Sequence, residues 1–131
     1  MKKAYPISIQ KDGKYYVVYI PDFDTNTEGQ SVADAIEMAR DAIGLLGITY
    51  YEDKIDYPEP SALDSISVPE GAIVTLVDVD FDAYRRKYER RTVRKNVSIP
   101  SWLNEAAESA DINFSAILQS ALKNELGITD Q

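Results

Sequence analysis

Residues 5–10 and 15–20 are rich in β-branched and aromatic residues, a pattern that predicts two strands. Lys11-Asp12-Gly13-Lys14 lies between them, and Asp-Gly tolerates the positive φ of a tight hairpin turn. Pro21-Asp22-Phe23-Asp24 ends the second strand, leaving room for a short third one before Gly29. At Ser31 the period changes. Val32, Ala35, Ile36, Ala39, Ile43 and Leu46 recur at helical spacing, behind Ser31 as N-cap and Asp34 as its box-like partner. Local propensity ends this helix near Gly44 and Gly47. Pro58, Pro60 and Pro69 make residues 50–70 mostly loop. Residues 73–81 read as a further strand, with Val77, Val79 and Phe81 on one face and Asp78, Asp80 and Asp82 on the other. The order β-β-β-α-β describes an α+β fold: a small antiparallel sheet covered on one face by one helix.

A second pattern begins near residue 92. Val93, Val97 and Ile99 alternate with Arg94, Asn96 and Ser98, although Lys95 interrupts the apolar parity. Pro100 stops this strand, and Ser101 is placed to cap a helix over 102–110 that buries Trp102, Leu103, Ala106, Ala107 and Ala110. Asn113 caps a second helix, striped by Ile117, Leu118, Ala121, Leu122 and Leu126 and closed by Gly127. A lone strand has no partner within such a tail. Pairing with the same strand of a second copy gives a ribbon-helix-helix homodimer, and a two-stranded ribbon fits the major groove of B-DNA. Arg94, Asn96 and Ser98 would then face base edges, while Asn113 and Ser115 would lie at a helix N-terminus suited to a phosphate. The alternative is a helical hairpin packed on the preceding domain.

Charge sharpens this division. The 131 residues carry a net charge of −8. Residues 1–82 hold 16 acids and 6 bases, whereas residues 83–131 hold 6 acids and 8 bases. Residues 83–95 alone carry seven bases, among them Arg90, Arg91 and Lys95, which add phosphate contacts to the DNA reading. The plainer reading of this collar is an extended, solvated linker. An acidic domain followed by a basic collar suggests one cationic and one anionic partner. Cysteine and histidine are both absent, which excludes disulfides, thiolate nucleophiles and histidine bases. No apolar run reaches the ~20 residues of a membrane span, so the expectation is a soluble, cytoplasmic protein with no membrane partner.

With these elements in order, the chain resembles HicB-type antitoxins of bacterial toxin–antitoxin pairs. The resemblance rests on Tyr5-Pro6, Ile20-Pro21-Asp22-Phe23, the alanines Ala35, Ala39 and Ala42, and Pro58-Glu59-Pro60-Ser61. In the tail it rests on Val97-Ser98-Ile99-Pro100-Ser101-Trp102-Leu103 and Ile112-Asn113-Phe114-Ser115. It implies a partial RNase H-like domain that blocks a small basic HicA-type RNase, and a tail that represses the pair's own operon by binding operator DNA. It also implies a first helix running on to about residue 54; no cofactor is expected, and the paired tails make the expected assembly a homodimer or a higher even oligomer. The expected organisation is a toxin-neutralising domain over 1–82, a basic linker over 83–91 and a ribbon-helix-helix domain over 92–131.

RNase H folds cut nucleic acid with metal-bound carboxylates, which makes the acids of the first domain candidates for chemistry. Asp78, Asp80 and Asp82 on one strand face would spread over about 13 Å, too far to share one metal ion. Neither a catalytic residue nor a metal ligand is therefore assigned, and no enzyme activity is expected. Asp22, Phe23 and Asp24 combine an aromatic with two acids, a candidate patch for a cationic toxin if Phe23 is exposed rather than core. The rival functions are a ligand-sensing ribbon-helix-helix regulator without a toxin and a carboxylate nuclease.

Overall fold

The structure is a computed structural model that describes residues 1–89 and 92–129. The chain divides into two compact units, with the boundary between residues 91 and 92.

In the first unit, strands β1 (Lys2–Asp12), β2 (Tyr15–Ile20), β3 (Thr25–Gly29) and β4 (Ile73–Asp80) form one antiparallel sheet in the order β3-β2-β1-β4. Asp12 pairs with Tyr15, so the hairpin turn is Gly13-Lys14, and Gly13 takes the positive φ of 62°. Tyr5, Ile7 and Ile9 of β1 point to the same face as Val18 and Ile20 of β2 and Val77 and Val79 of β4. Helix α1 (Val32–Glu52) closes that face with Ala35, Ala39 and Ile43. Ser31 caps α1 by accepting a hydrogen bond from the Asp34 amide, while Asp34 accepts one from the Gln30 amide.

Two sequence expectations change here. The first is the end of α1, which passes through Gly44 and Gly47 and runs to Glu52. Those glycines lie on its buried face, against the rings of Tyr84 and Phe81. They are a packing notch, not a stop signal, and here tertiary contact overrides propensity. The true end is a Schellman-type turn: the Lys54 amide donates to the Tyr51 carbonyl and the Ile55 amide to the Tyr50 carbonyl. Lys54 occupies the left-handed position at φ 57°, where glycine is usual.

The second concerns residues 81–88. Phe81 does not extend β4, and the collar is not simply a linker. Asp80 accepts a hydrogen bond from the Ala83 amide and caps helix α2 (Phe81–Tyr88). Phe81 and Tyr84, one turn apart, settle into the α1 notch, and the basic residues Arg85, Arg86 and Lys87 occupy the favourable C-terminal turn. Tyr57, from the loop after α1, stacks on Phe81 at 3.9 Å.

The second unit contains α3 (Ser101–Ser109) and α4 (Phe114–Leu126). Pro100, not Ser101, occupies the N-cap of α3, and its carbonyl accepts hydrogen bonds from the Leu103 and Asn104 amides. Asn113 caps α4 through the Ala116 amide, and Gly127 closes it at φ 70°. Residues 92–100 form no strand ladder within the single chain. Among the described residues of this unit none is buried, and Trp102 and Leu126 are 69% and 71% exposed.

Two stability measurements follow from α1. Gly47→Ala gains about 1 kcal/mol of helix propensity but drives a methyl into the Phe81 ring, an overpacking cost of about 1–3 kcal/mol. Urea denaturation should therefore show a net loss, and a net gain would show that the notch is not tightly filled. Lys54→Gly removes a left-handed strain worth roughly 1 kcal/mol and should raise the urea midpoint.

Candidate functional site

The aspartates of the first unit are largely committed to holding it together. Asp22 accepts hydrogen bonds from both the Ser61 amide, at 2.9 Å, and the Ser61 hydroxyl, tying the turn after β2 to the loop after α1. Asp24, in the left-handed region at φ 44°, accepts a hydrogen bond from the Tyr19 hydroxyl at 3.1 Å and so raises that phenol's pKa. Phe23 is only 9% exposed, lies edge-on to Tyr5 at 4.9 Å and packs near Tyr50. The expected exposed aromatic between two acids is therefore not formed, because Phe23 belongs to the core. Tyr5 donates to the Pro58 carbonyl at 2.8 Å, and burial, followed by the nearby Asp22 and Glu59 charges, pushes its phenol well above the usual range.

The β4 acids do not converge. Asp78 faces Arg40 of α1, whose Nη2 donates to Oδ1 at 3.0 Å while Nε donates to the Asp78 carbonyl at 2.9 Å. One arginine thereby closes part of the open edge of the outer strand and holds the Asp78 carboxyl below its ordinary pKa. Asp80 is the α2 cap, and Asp82 pairs with the Met1 amino group. Among the described residues no three Asp or Glu side chains gather in a metal-holding group.

A surface that the sequence reading passed over lies where α1 ends. The Arg85 guanidinium stacks over the Tyr51 ring at 3.5 Å, within a cleft of about 390 Å³ between α1 and α2 that Ile48 and Tyr88 also line. A broader cleft of about 960 Å³ continues from Tyr51 past Ile55 and Asp56 to Tyr57 and Glu59. Tyr51 and Ile55 are 53% and 54% exposed. Its sequence signal was the spacing of Glu52, Asp53, Asp56 and Glu59 around those two side chains, obscured by the expectation that α1 had already ended.

In the second unit, Arg94, Lys95, Asn96 and Ser98 are all exposed and lie together in one irregular segment. Asn113 and Ser115 sit at the N-terminus of α4, where Asn113 satisfies the Ala116 amide. The proposed phosphate ligands Arg90 and Arg91 fall outside the described residues.

Residues 5–121 match the HicB-like antitoxins of bacterial toxin–antitoxin systems. The chain belongs to the HicB-like antitoxin family. It is 32% identical over 103 residues, 76% of this chain and 74% of the other, to an uncharacterized 14.9 kDa protein of the rep-hol intergenic region of Haemophilus phage HP1. Its fold is similar to a chain of a toxin–antitoxin complex from Streptococcus pneumoniae, with a TM-score of 0.62 at 23% identity, covering 95% of this chain and 99% of that one. It is also similar to the antitoxin HicB of Burkholderia pseudomallei, with a TM-score of 0.52 at 27% identity, covering 95% and 96%. No helix among the described residues of this HicB-like chain is long and apolar enough to cross a membrane.

The Arg40–Asp78 contact gives a direct pH test. A depressed carboxyl pKa contributes stability that is present above the unfolded-state pKa and is lost as pH falls through the folded value. Carboxyl NMR titration should place Asp78 below the common aspartate value of about 3.9, and Arg40→Leu should raise it towards that value. An unchanged midpoint in the variant would remove Arg40 as the cause.

Proposed function

We propose that this HicB-like antitoxin neutralises a small basic HicA-type RNase with its acidic first unit and represses its own operon through a dimeric C-terminal ribbon. The observation that carries this reading is the extent of the family match, which runs from residue 5 to residue 121 through both units. The charge division supports it independently, because an acidic domain suits a cationic enzyme and the bases of residues 83–95 suit DNA phosphates. In this reading the protein acts in the cytoplasm, without a cofactor and without catalysis of its own.

The tail supports the DNA arm through what it leaves uncovered. Val93, Val97 and Ile99 are exposed in the single chain, as are Trp102, Leu118 and Leu122 of the helices. In the proposed homodimer, residues 92–99 of two copies pair antiparallel and the helices interlock beneath them. Arg94, Asn96 and Ser98 then face the major groove, with arginine suited to guanine and asparagine to adenine. Lys95, Asn113 and Ser115 join Arg90 and Arg91 in holding the backbone.

A mobility shift with the DNA upstream of the chain's own gene, run beside sedimentation of the free protein, tests this. Arg94→Ala or Asn96→Ala should cost about 1–3 kcal/mol and relax preference at one base position. Replacing Arg90 and Arg91 should weaken all sequences alike and flatten the salt dependence. A strictly monomeric protein at micromolar concentration, or identical behaviour of the two classes of variant, would overturn the ribbon assignment.

A further inference from the structure

We propose that the end of α1, centred on Tyr51 and Ile55, is the surface on which the antitoxin docks its cationic toxin. The proposal rests on the functional reading above and locates the contact within it. Three observations converge there. Residues 51–56 are exposed in succession, and they include two large apolar side chains, Tyr51 and Ile55. Both line the 960 Å³ cleft that runs towards Tyr57. This is the form of an anchor site, an apolar centre beside a concave surface.

Charge then selects the occupant. Glu52, Asp53 and Asp56 form no ion pair and no side-chain hydrogen bond among the described residues, unlike Asp22, Asp78, Asp80 and Asp82. Of the cations that line the cleft, Lys3 is paired with Glu59 at 3.1 Å and the Met1 amino group with Asp82, which leaves Lys54 against the three carboxylates Glu52, Asp53 and Asp56. An apolar centre rimmed by uncommitted carboxylates complements a basic protein and repels nucleic acid. Arg85 over Tyr51 already shows the mode of contact this rim offers, a guanidinium on an aromatic face.

Backbone geometry is the third observation. Lys54 holds the left-handed conformation without being glycine, and that turn places Ile55 beyond the helix, exposed to solvent. Strain of this kind persists where the surrounding structure enforces it, and it gathers at functional surfaces.

The experiment measures affinity for the purified, catalytically inactivated product of the adjoining reading frame, using full-length antitoxin and calorimetry. Ile55→Asp should weaken binding about tenfold or more even though it adds an acid, because an anchor is lost. Glu52→Lys with Asp56→Lys should weaken it further, whereas Glu28→Lys with Glu37→Lys, the same charge change at exposed sites elsewhere, should cost less than threefold. Operator binding and thermal unfolding should be unchanged by Ile55→Asp, which separates docking from folding. If Ile55→Asp binds as wild type, or the two double variants lose equally, the dock is elsewhere while the antitoxin reading stands. If wild-type protein binds no such partner at all, the functional reading itself fails.

Discussion

The fit of α1 against its neighbours governs the first unit, and that fit depends on the smallness of what α1 presents. Ala35 and Ala39 let the helix lie close to the sheet, and Gly44 and Gly47 let the rings of Tyr84 and Phe81 enter its last turns. Larger residues on this face would hold the helix away from Tyr5, Ile7, Val77 and Val79, at a cost comparable to the whole margin of stability of a small domain. Because Phe81 is drawn into the notch, the chain turns into α2 immediately after β4. The first basic residues of the collar are thereby carried on a helix fixed to the domain. The smaller cleft beside Tyr51 arises from the same constraint, since α2 forms one of its walls.

A net acidic domain raises the question of how its carboxylates are employed, and here they fall into two groups. Asp22, Asp34, Asp78 and Asp80 each accept specific hydrogen bonds that cap a helix, close a sheet edge or tether a loop. Each of these is satisfied locally and would lose those bonds if turned towards a partner. Near Ile55, Glu59 is paired with Lys3, whereas Glu52, Asp53 and Asp56 carry no such commitment among the described residues and can meet cations without destabilising the fold. Counting acids would treat both groups alike; their hydrogen bonds separate them.

The strands of the first unit, the hairpin, the start of α1 and the Asn113 and Gly127 caps were legible because each is set by short-range chemistry: alternation, a turn glycine or a capping side chain. The end of α1 was not. Gly44 and Gly47 carry the local signature of termination, and only Phe81 and Tyr84, more than thirty residues away, reveal why glycine is needed there. Phe81 misled for a related reason, since it keeps the parity of Val77 and Val79 while belonging to the next helix. The Asp22-Phe23-Asp24 patch was open from sequence because parity says nothing within a turn, and burial of Phe23 against Tyr5 resolves it as core.

The second unit turns on an imbalance between apolar content and shelter. Eleven of its large apolar side chains, from Val93 to Leu126, are at least 38% exposed in the single chain. Covering the set in both chains would return on the order of 20 kcal/mol, at about 1.5–3 kcal/mol per fully buried side chain with roughly half of each exposed. That is enough to offset the roughly 4–15 kcal/mol estimated for the lost freedom of two associating chains. Three of the eleven, Val93, Val97 and Ile99, lie in the 92–99 segment, so the helices do not carry the sum alone. In the proposed dimer, joining that segment to its copy also satisfies backbone groups that have no strand partner in the single chain. In that proposed dimer, association and DNA reading would be one event, since the pairing that shelters Val93, Val97 and Ile99 would also turn Arg94, Asn96 and Ser98 outward.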